Sequence, residues 1–244
     1  MKKLIIIAII SIFYISNILA QENNMSRVPL IGEKAPSFTA QSTKGTINFP
    51  EDFGTKWKIL FSHPADFTPI CTSEIMELAL MDKEFENINT KLVVISTDEL
   101  VLHTSWVESM DKLLSNDCEG SCKIDFPLVD DSKFNITSKY GMLSPFIDPR
   151  RTVRGVFIIG PENKIEAIFF YPKNIGRNLD EIKRTVIALQ TSRKYSILTP
   201  VNWKPGEEVL LPYPYLYYDS TQKEQYGIHD ISWYMMFKKL NKDN

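Results

Sequence analysis

The chain contains three cysteines, an odd number that leaves at least one thiol without an intramolecular partner. Cys71 lies in the stretch Ser62-His63-Pro64-Ala65-Asp66-Phe67-Thr68-Pro69-Ile70-Cys71-Thr72-Ser73-Glu74. Proline suits the first position of a helix, where its missing N–H is no loss, and threonine suits the cap before it. Thr68 and Pro69 therefore predict a helix opening there, with Cys71 in its first turn. The unpaired N–H groups and the positive end of the helix dipole favour a thiolate over a thiol at that place. Thr68 stands one helical turn before the sulfur, where its hydroxyl could face it. Pro64 would stiffen the loop and keep bulk away from the pocket. The competing reading of Cys71 is a small packed hydrophobe, the usual fate of a free cysteine. The polar, proline-framed setting favours the reactive thiol.

The elements that must hold this loop are legible as alternating strands and helices. Trp57-Lys58-Ile59-Leu60-Phe61-Ser62 is an apolar run that feeds the His63-Pro64 loop and reads as a buried strand. Lys91-Leu92-Val93-Val94-Ile95-Ser96 and Gly155-Val156-Phe157-Ile158-Ile159 read likewise. The second of these turns through Gly160-Pro161-Glu162-Asn163 into a hairpin partner over residues 165–171. Helical spacing is carried by Ile75, Leu78, Ala79, Met81 and Phe85, with Asp82 the one polar intruder, and again over 100–114 and 179–189. This order predicts an α/β fold with a mixed sheet. After Thr199 the texture changes: Pro200, Pro205, Pro212 and Pro214 punctuate a stretch with Trp203, Tyr213, Tyr215, Tyr217 and Tyr218. It is too small for a core of its own and is expected to pack on the main domain or a second subunit. Its aromatic rings read as packing between prolines rather than a base-stacking platform, because no basic stripe accompanies them.

Composition sets the outer limits. The 244 residues are 43% hydrophobic and 24% charged, with 10 Gly and 14 Pro, which fits a globular chain and not a fibrous or disordered one. With 28 Lys+Arg against 30 Asp+Glu the formal net charge is −2, so no global field recruits nucleic acid. Lys2 and Lys3 precede an apolar run from Leu4 to Ala20 broken only by Ser11, Ser16 and Asn17. A basic start, a short apolar centre and a small residue at its exit predict a signal peptide over residues 1–20, cleaved near Ala20, with export to the periplasm or outside. An uncleaved anchor is the competing reading; the run is at the short limit for a span, which takes roughly 20 residues. No membrane association is expected of the mature chain.

Pro64-x-x-x-Thr68-x-x-Cys71 matches the peroxidatic motif of the peroxiredoxins, and the whole His63–Glu74 block resembles the one-cysteine, Prx6-type subfamily. The similarity continues at Arg154-Gly155-Val156-Phe157-Ile158-Ile159-Gly160-Pro161, at Tyr171-Pro172, at Gly176-Arg177-Asn178-Leu179-Asp180-Glu181 and at Thr199-Pro200-Val201-Asn202-Trp203, so it spans most of Val28–Phe237. The resemblance implies a thioredoxin-like peroxidase domain over 28–190 and a peroxiredoxin C-terminal extension over 191–240 at a dimer interface. It implies a thiol peroxidase acting on hydrogen peroxide and organic hydroperoxides, in antioxidant defence and redox homeostasis. Cys71 would become a sulfenic acid. Thr68 and Arg154 would align the peroxide, with backbone N–H groups near Ile70 and Cys71 completing the cradle, and Pro64 would shield the sulfur. His63 would tune the thiolate or handle a proton, and Glu74 would hold the arginines. No metal or other cofactor is implied, since the thiol itself takes the oxygen. The implied partners are a peroxide, a thiol reductant (thioredoxin-like, glutathione or other) and a second copy of the chain in a homodimer or larger homo-oligomer.

The sequence departs from that subfamily in two places. Where some mammalian members carry a hydrolase serine and histidine, this chain has Glu208 and Pro50, so no lipase activity is expected. Cys118 and Cys122 form a C-x3-C pair, a poor zinc site without a second Cys/His cluster. Three readings stay open for it: a local disulfide, a resolving role towards oxidised Cys71, and inert thiols. His103 and His229 are read as structural. The alternatives to a peroxidase are a non-catalytic thioredoxin-fold interaction protein, which would need neither Thr68 nor Arg154, and a thiol–disulfide oxidoreductase, which would want a second thiol where Glu74 stands.

Overall fold

The structure is a computed structural model that describes residues 27–117, 122–212 and 220–240. The expected signal peptide and Cys118, Tyr213, Tyr215, Tyr217 and Tyr218 lie outside the described residues. The strands are β1 (Phe38–Ser42), β2 (Gly45–Phe49), β3 (Trp57–Ser62), β4 (Thr90–Ser96), β5 (Leu128–Asp130), β6 (Leu143–Ser144), β7 (Asp148–Thr152), β8 (Arg154–Ile159), β9 (Ile165–Tyr171), β10 (Val209–Leu210), β11 (Ile228–Ser232) and β12 (Met235–Lys238). The α-helices are α1 (Pro69–Asn87), α2 (Leu100–Asp117), α3 (Asn135–Lys139), α4 (Leu179–Tyr195) and α5 (Ser220–Tyr226).

Seven strands form one sheet in the order β2-β1-β5-β4-β3-β8-β9. β3 is parallel to β4 and antiparallel to β8, so the mixed sheet expected from the late hairpin is present. All six residues of β3 are buried. Side chains alternate across it: Ile59 and Phe61 pack with Ile75, Leu78 and Phe85 of α1 on one face, while Leu60 packs with Phe49 and Phe157 on the other. Covered on both faces, the strand reads as a continuous apolar run rather than an alternating one.

α1 begins where expected, with Thr68 at the N-cap position in extended conformation and Pro69 in the first turn, although the Thr68 side chain makes no capping bond to the helix. Its buried residues are Cys71, Glu74, Ile75, Leu78, Met81 and Phe85, a stripe at three- and four-residue spacing. The reactive-thiol candidate thus lies on the same face that anchors the helix to the sheet. On α2 the buried face includes His103, Trp106, Met110 and Leu114. α4 starts at an N-cap, Asn178, whose side chain accepts from the Glu181 N–H, and it ends beyond the expected boundary, at Tyr195.

Several elements were not expected from the sequence, among them the β6–β7 pair, α3 and α5. The hairpin β1–β2 and the short strand β5 extend the sheet beyond β4. The C-terminal stretch is more than turns: β10, β12 and β11 form a small antiparallel sheet, and Trp203 is buried with Ala188, Ile197 and Val209. Because Ala188 belongs to α4, this stretch packs on the main domain, one of its two expected destinations. Among the described residues no helix is long and apolar enough to cross a membrane.

Candidate active site

β3 delivers the chain to the site. At its end, the Ser62 hydroxyl donates to the Val153 carbonyl (2.7 Å) and accepts from the Gly155 N–H (2.8 Å), while the Thr152 hydroxyl donates to the His63 carbonyl (2.7 Å). These bonds tie the loop leaving β3 to the start of β8, where Arg154 stands. Gly155 permits the close approach: a Cβ there would lie 3.1 Å from Ser62 Oγ and 3.2 Å from Phe170. The next residues turn back through Phe67, whose backbone φ of 53° is in the left-handed region, uncommon for a bulky residue. That turn sends Asp66 inward and leaves Phe67 exposed.

Cys71 is a free thiol and fully buried. Arg154 is buried as well, and its Nη1 donates both to Glu74 Oε2 (2.7 Å) and to Cys71 Sγ (3.4 Å). Its Nε and Nη2 donate to the Lys173 carbonyl at 3.0 and 2.6 Å, which fixes the plane of the guanidinium. Arg154 is therefore not a surface charge. Arg150, by contrast, is exposed, and Arg151 pairs with Asp98.

Glu74 is shared with a second arginine to which the sequence reading gave no role. Arg177 donates its backbone N–H and Nε to Glu74 Oε1 (2.8 and 2.9 Å) and its Nη2 to Oε2 (2.7 Å). Its Nη1 reaches the carbonyls of Ser62 and Gly155, and its guanidinium carbon lies 3.3 Å from the centre of the Phe61 ring. Burial pushes this guanidinium down to about 10 against the opposing pull of Glu74, so it stays charged at neutral pH. Two guanidinium groups against one carboxylate leave one positive charge, and the cysteine sulfur faces it. The signal for Arg177 was its place directly before the Asn178 cap, where the helix start aims the backbone N–H at Glu74; nothing local shows that the two residues meet.

Thr68 lies one turn before Cys71, and its hydroxyl donates to the Ala65 carbonyl (2.9 Å), which leaves its lone pairs to accept. The first backbone bond into α1 runs from Thr72 N–H to the Thr68 carbonyl (2.9 Å), so the N–H groups of Ile70 and Cys71 precede the helical ladder. Pro64 is buried in the loop. His63 lies on the other side of the loop start, within reach of the charges of Arg177 and Arg154. It is buried beside Trp106 (ring centres 5.0 Å apart), with Nε2 3.5 Å from Asp66 Oδ1. Burial, with the charges of His103 and Arg177 adding to it, holds His63 well below the usual histidine range. Cys122 is disulfide-bonded, and not to Cys71, which is free.

A buried thiol at a helix start, aimed at by a guanidinium and carried on a thioredoxin-like sheet, defines a thiol-redox enzyme. The chain matches the AhpC/TSA family over residues 31–168 and the C-terminal domain of 1-Cys peroxiredoxin over 188–224. It is 44% identical over 215 residues to a peroxiredoxin of Methanosarcina mazei, covering 87% of this chain and 98% of that one. A peroxiredoxin of Aquifex aeolicus is 36% identical over 223 residues, covering 87% and 98%. Among solved structures, the yeast mitochondrial 1-Cys peroxiredoxin superposes with a TM-score of 0.77 at 34% identity, covering 87% of this chain and 100% of that one. A cysteine-to-serine mutant of peroxiredoxin 6 from Arenicola marina gives 0.77 at 28%, covering 88% and 100%. The chain belongs to the peroxiredoxins, enzymes that reduce peroxides with a cysteine thiol and draw on a thiol-based redox partner.

Proposed function

We propose that Cys71 is the peroxidatic cysteine and that Arg154 and Thr68 align the peroxide against it. The observation that carries this reading is the Arg154 Nη1 donor shared between Cys71 Sγ at 3.4 Å and Glu74 at 2.7 Å. The Cys71 thiolate attacks the terminal oxygen of hydrogen peroxide or an organic hydroperoxide. The S–O bond forms as the O–O bond breaks, the sulfur loses two electrons, and the departing hydroxide or alkoxide takes up a proton. A positive group already oriented at the reacting atoms needs no rearrangement as charge moves from sulfur to oxygen. Two reductant thiols then return the sulfenic acid to thiol, releasing water and a disulfide. The yeast relative is described as resolved by glutathione and thioredoxin systems, and we assign this chain a reductant of the same two classes.

Treatment with one equivalent of hydrogen peroxide, followed by mass spectrometry of each cysteine, tests the reading. Sulfenic acid or its trapped adduct is expected on Cys71 and disappears with Cys71→Ser. Peroxide consumption that survives Cys71→Ser would overturn it. The bonded state of Cys122 supports a local disulfide over a resolving role. In the same digest under non-reducing conditions, a Cys71–Cys118 or Cys71–Cys122 peptide would reverse that assignment.

The remaining readings follow the family. A division near residue 190 is supported by the two family matches. A homodimer is supported by Ile231, Trp233 and Tyr234, which are 71%, 71% and 60% exposed along the C-terminal sheet; analytical ultracentrifugation of the Trp233→Glu variant tests it. Export after cleavage near Ala20 rests on the basic start and apolar run of residues 2–20, and N-terminal sequencing of the cell-derived protein tests it.

A further inference from the structure

Beside the Glu74 cluster lies a second group of buried polar side chains. His63 leaves the end of β3, Asp66 comes from the following loop, and His103 comes from the buried face of α2. All three are buried, His63 and His103 completely. One ligating atom from each lies within 4.8 Å of the other two. Asp66 Oδ2 is 2.7 Å from His103 Nδ1, and Asp66 Oδ1 is 3.5 Å from His63 Nε2.

Three atoms in this group have no hydrogen-bond partner: Nδ1 and Nε2 of His63, and Oδ1 of Asp66. A buried polar group left unsatisfied costs about 1–3 kcal/mol, so such an arrangement marks a place where something else can be accepted. Asp66 Oδ1 and the unprotonated ring nitrogen of His63 offer lone pairs of the carboxylate and imidazole types. The third ligand is already oriented, since His103 Nε2 lies 3.1 Å from the Val129 carbonyl. A carbonyl there takes the Nε2–H and turns Nδ1 towards Asp66, the outer support commonly found behind a metal-bound histidine.

The geometry points to a binding site for one borderline divalent cation of the zinc class, held by His63, Asp66 and His103. Two neutral imidazoles and one carboxylate are an N2O set that zinc accepts. Zinc bonds of about 2.0–2.1 Å place tetrahedral ligands roughly 3.3 Å apart. The 3.5 Å His63–Asp66 separation already fits that spacing, and the 2.7 Å His103–Asp66 contact would open by a rotation of the carboxylate. Access runs through the loop, because Asp66 sits between half-buried Ala65 and exposed Phe67.

Zinc titration of the full chain against a chromophoric chelator, without thiol reductant and in a Cys71→Ser background, tests the assignment. One zinc per chain is expected. His103→Gln and His63→Gln should each weaken binding by more than the ~10–100-fold that loss of an outer-shell partner costs. His229→Gln, at a half-exposed histidine outside the cluster, should leave it unchanged. Cobalt(II) added to the otherwise unaltered protein provides a readout that does not depend on a variant folding. Visible bands of a tetrahedral site with nitrogen and oxygen ligands are expected, with no sulfur-to-cobalt charge-transfer band. Absence of bound zinc, equal affinity in the His103→Gln variant, or a charge-transfer band lost with Cys71→Ser would each overturn the proposal.

Discussion

Two clusters of buried ionisable groups flank the end of β3, one reached from Ser62 and the other beginning at His63, and they are completed to very different degrees. Around Glu74, each carboxylate oxygen accepts two N–H donors, and the two arginines place further donors on the carbonyls of Ser62, Gly155 and Lys173. Around Asp66, one oxygen is bonded to His103 and the other is unsatisfied, as are both nitrogens of His63. A saturated network holds one geometry and keeps the Arg154 donor on the Cys71 sulfur. An unsaturated one bears a desolvation cost and keeps capacity for a ligand. The two clusters share neighbouring backbone, so the difference is made by the partners that more distant elements bring.

The largest expected effect comes from dismantling the saturated cluster. Glu74→Ala leaves two buried guanidinium groups without their carboxylate and should destabilise the fold by about 3–5 kcal/mol in urea denaturation. A loss below ~1 kcal/mol, typical of an exposed pair, would show that the cluster is not what binds α1 to β8 and the start of α4.

Next comes the aim of the donor. Arg154→Lys keeps the charge but cannot reach Lys173, Glu74 and the sulfur with one planar group. Stopped-flow oxidation of Cys71 by hydrogen peroxide should slow by about 100-fold or more, the scale seen when an oriented donor is removed. A slowing of less than tenfold would mean that charge alone suffices.

The open cluster should show itself in acid. His63 is held neutral in the fold by burial and by the charges of His103, Arg177 and Arg154, whereas the unfolded chain protonates it below about 6.5. The unfolded state then binds more protons, so stability is level above that pH and falls below it, by up to ~1.4 kcal/mol per unit. Asp66, raised by burial against the pull of His103, contributes with the opposite sign, its share falling as pH rises through its raised value. Denaturation at pH 7 and pH 5 should therefore lose less stability in His63→Gln than in the parent chain; an equal loss in both would break the assignment.

The smallest effect tests how far the order of the saturated cluster reaches into α4. Asn178→Ala removes the cap directly after Arg177 and should cost about 1 kcal/mol, with little change in the rate of Cys71 oxidation. A large drop in rate would mean that the cap also holds the Arg177 backbone N–H on Glu74.

The start of α1 was legible because its signals are local: Thr68 stands at the cap position, Pro69 opens the helix, and Cys71 falls in the first turn. β3, β4 and β8 were legible because strands buried on both faces read as unbroken apolar runs, and the half-buried β9 because the Gly160–Asn163 turn joins it to β8. β5 was missed because three residues carry too little pattern, and the β1–β2 hairpin because Phe38–Phe49 mixes polar and apolar positions at an edge of the sheet. The C-terminal sheet was hidden by its prolines and by strands as short as Val209–Leu210. His103, read as structural, has the same helical spacing as Trp106 and Met110, and spacing alone does not distinguish a packed ring from a ligand.

By itself the sequence determined which sulfur stands at a helix start, since Thr68, Pro69 and the framing Pro64 act within a few residues of Cys71. It also determined the kind of scaffold, because strand and helix periodicities are properties of short windows. Only the tertiary structure decided that Arg154 and Arg177 share Glu74, residues 80 and 103 positions away along the chain. It alone decided that His63 and Asp66 meet His103 with atoms left unsatisfied. The physical reason is the same in both cases. A buried charge or polar atom is tolerable only with its partners in place, and those partners come from strands and helices whose meeting no local pattern encodes.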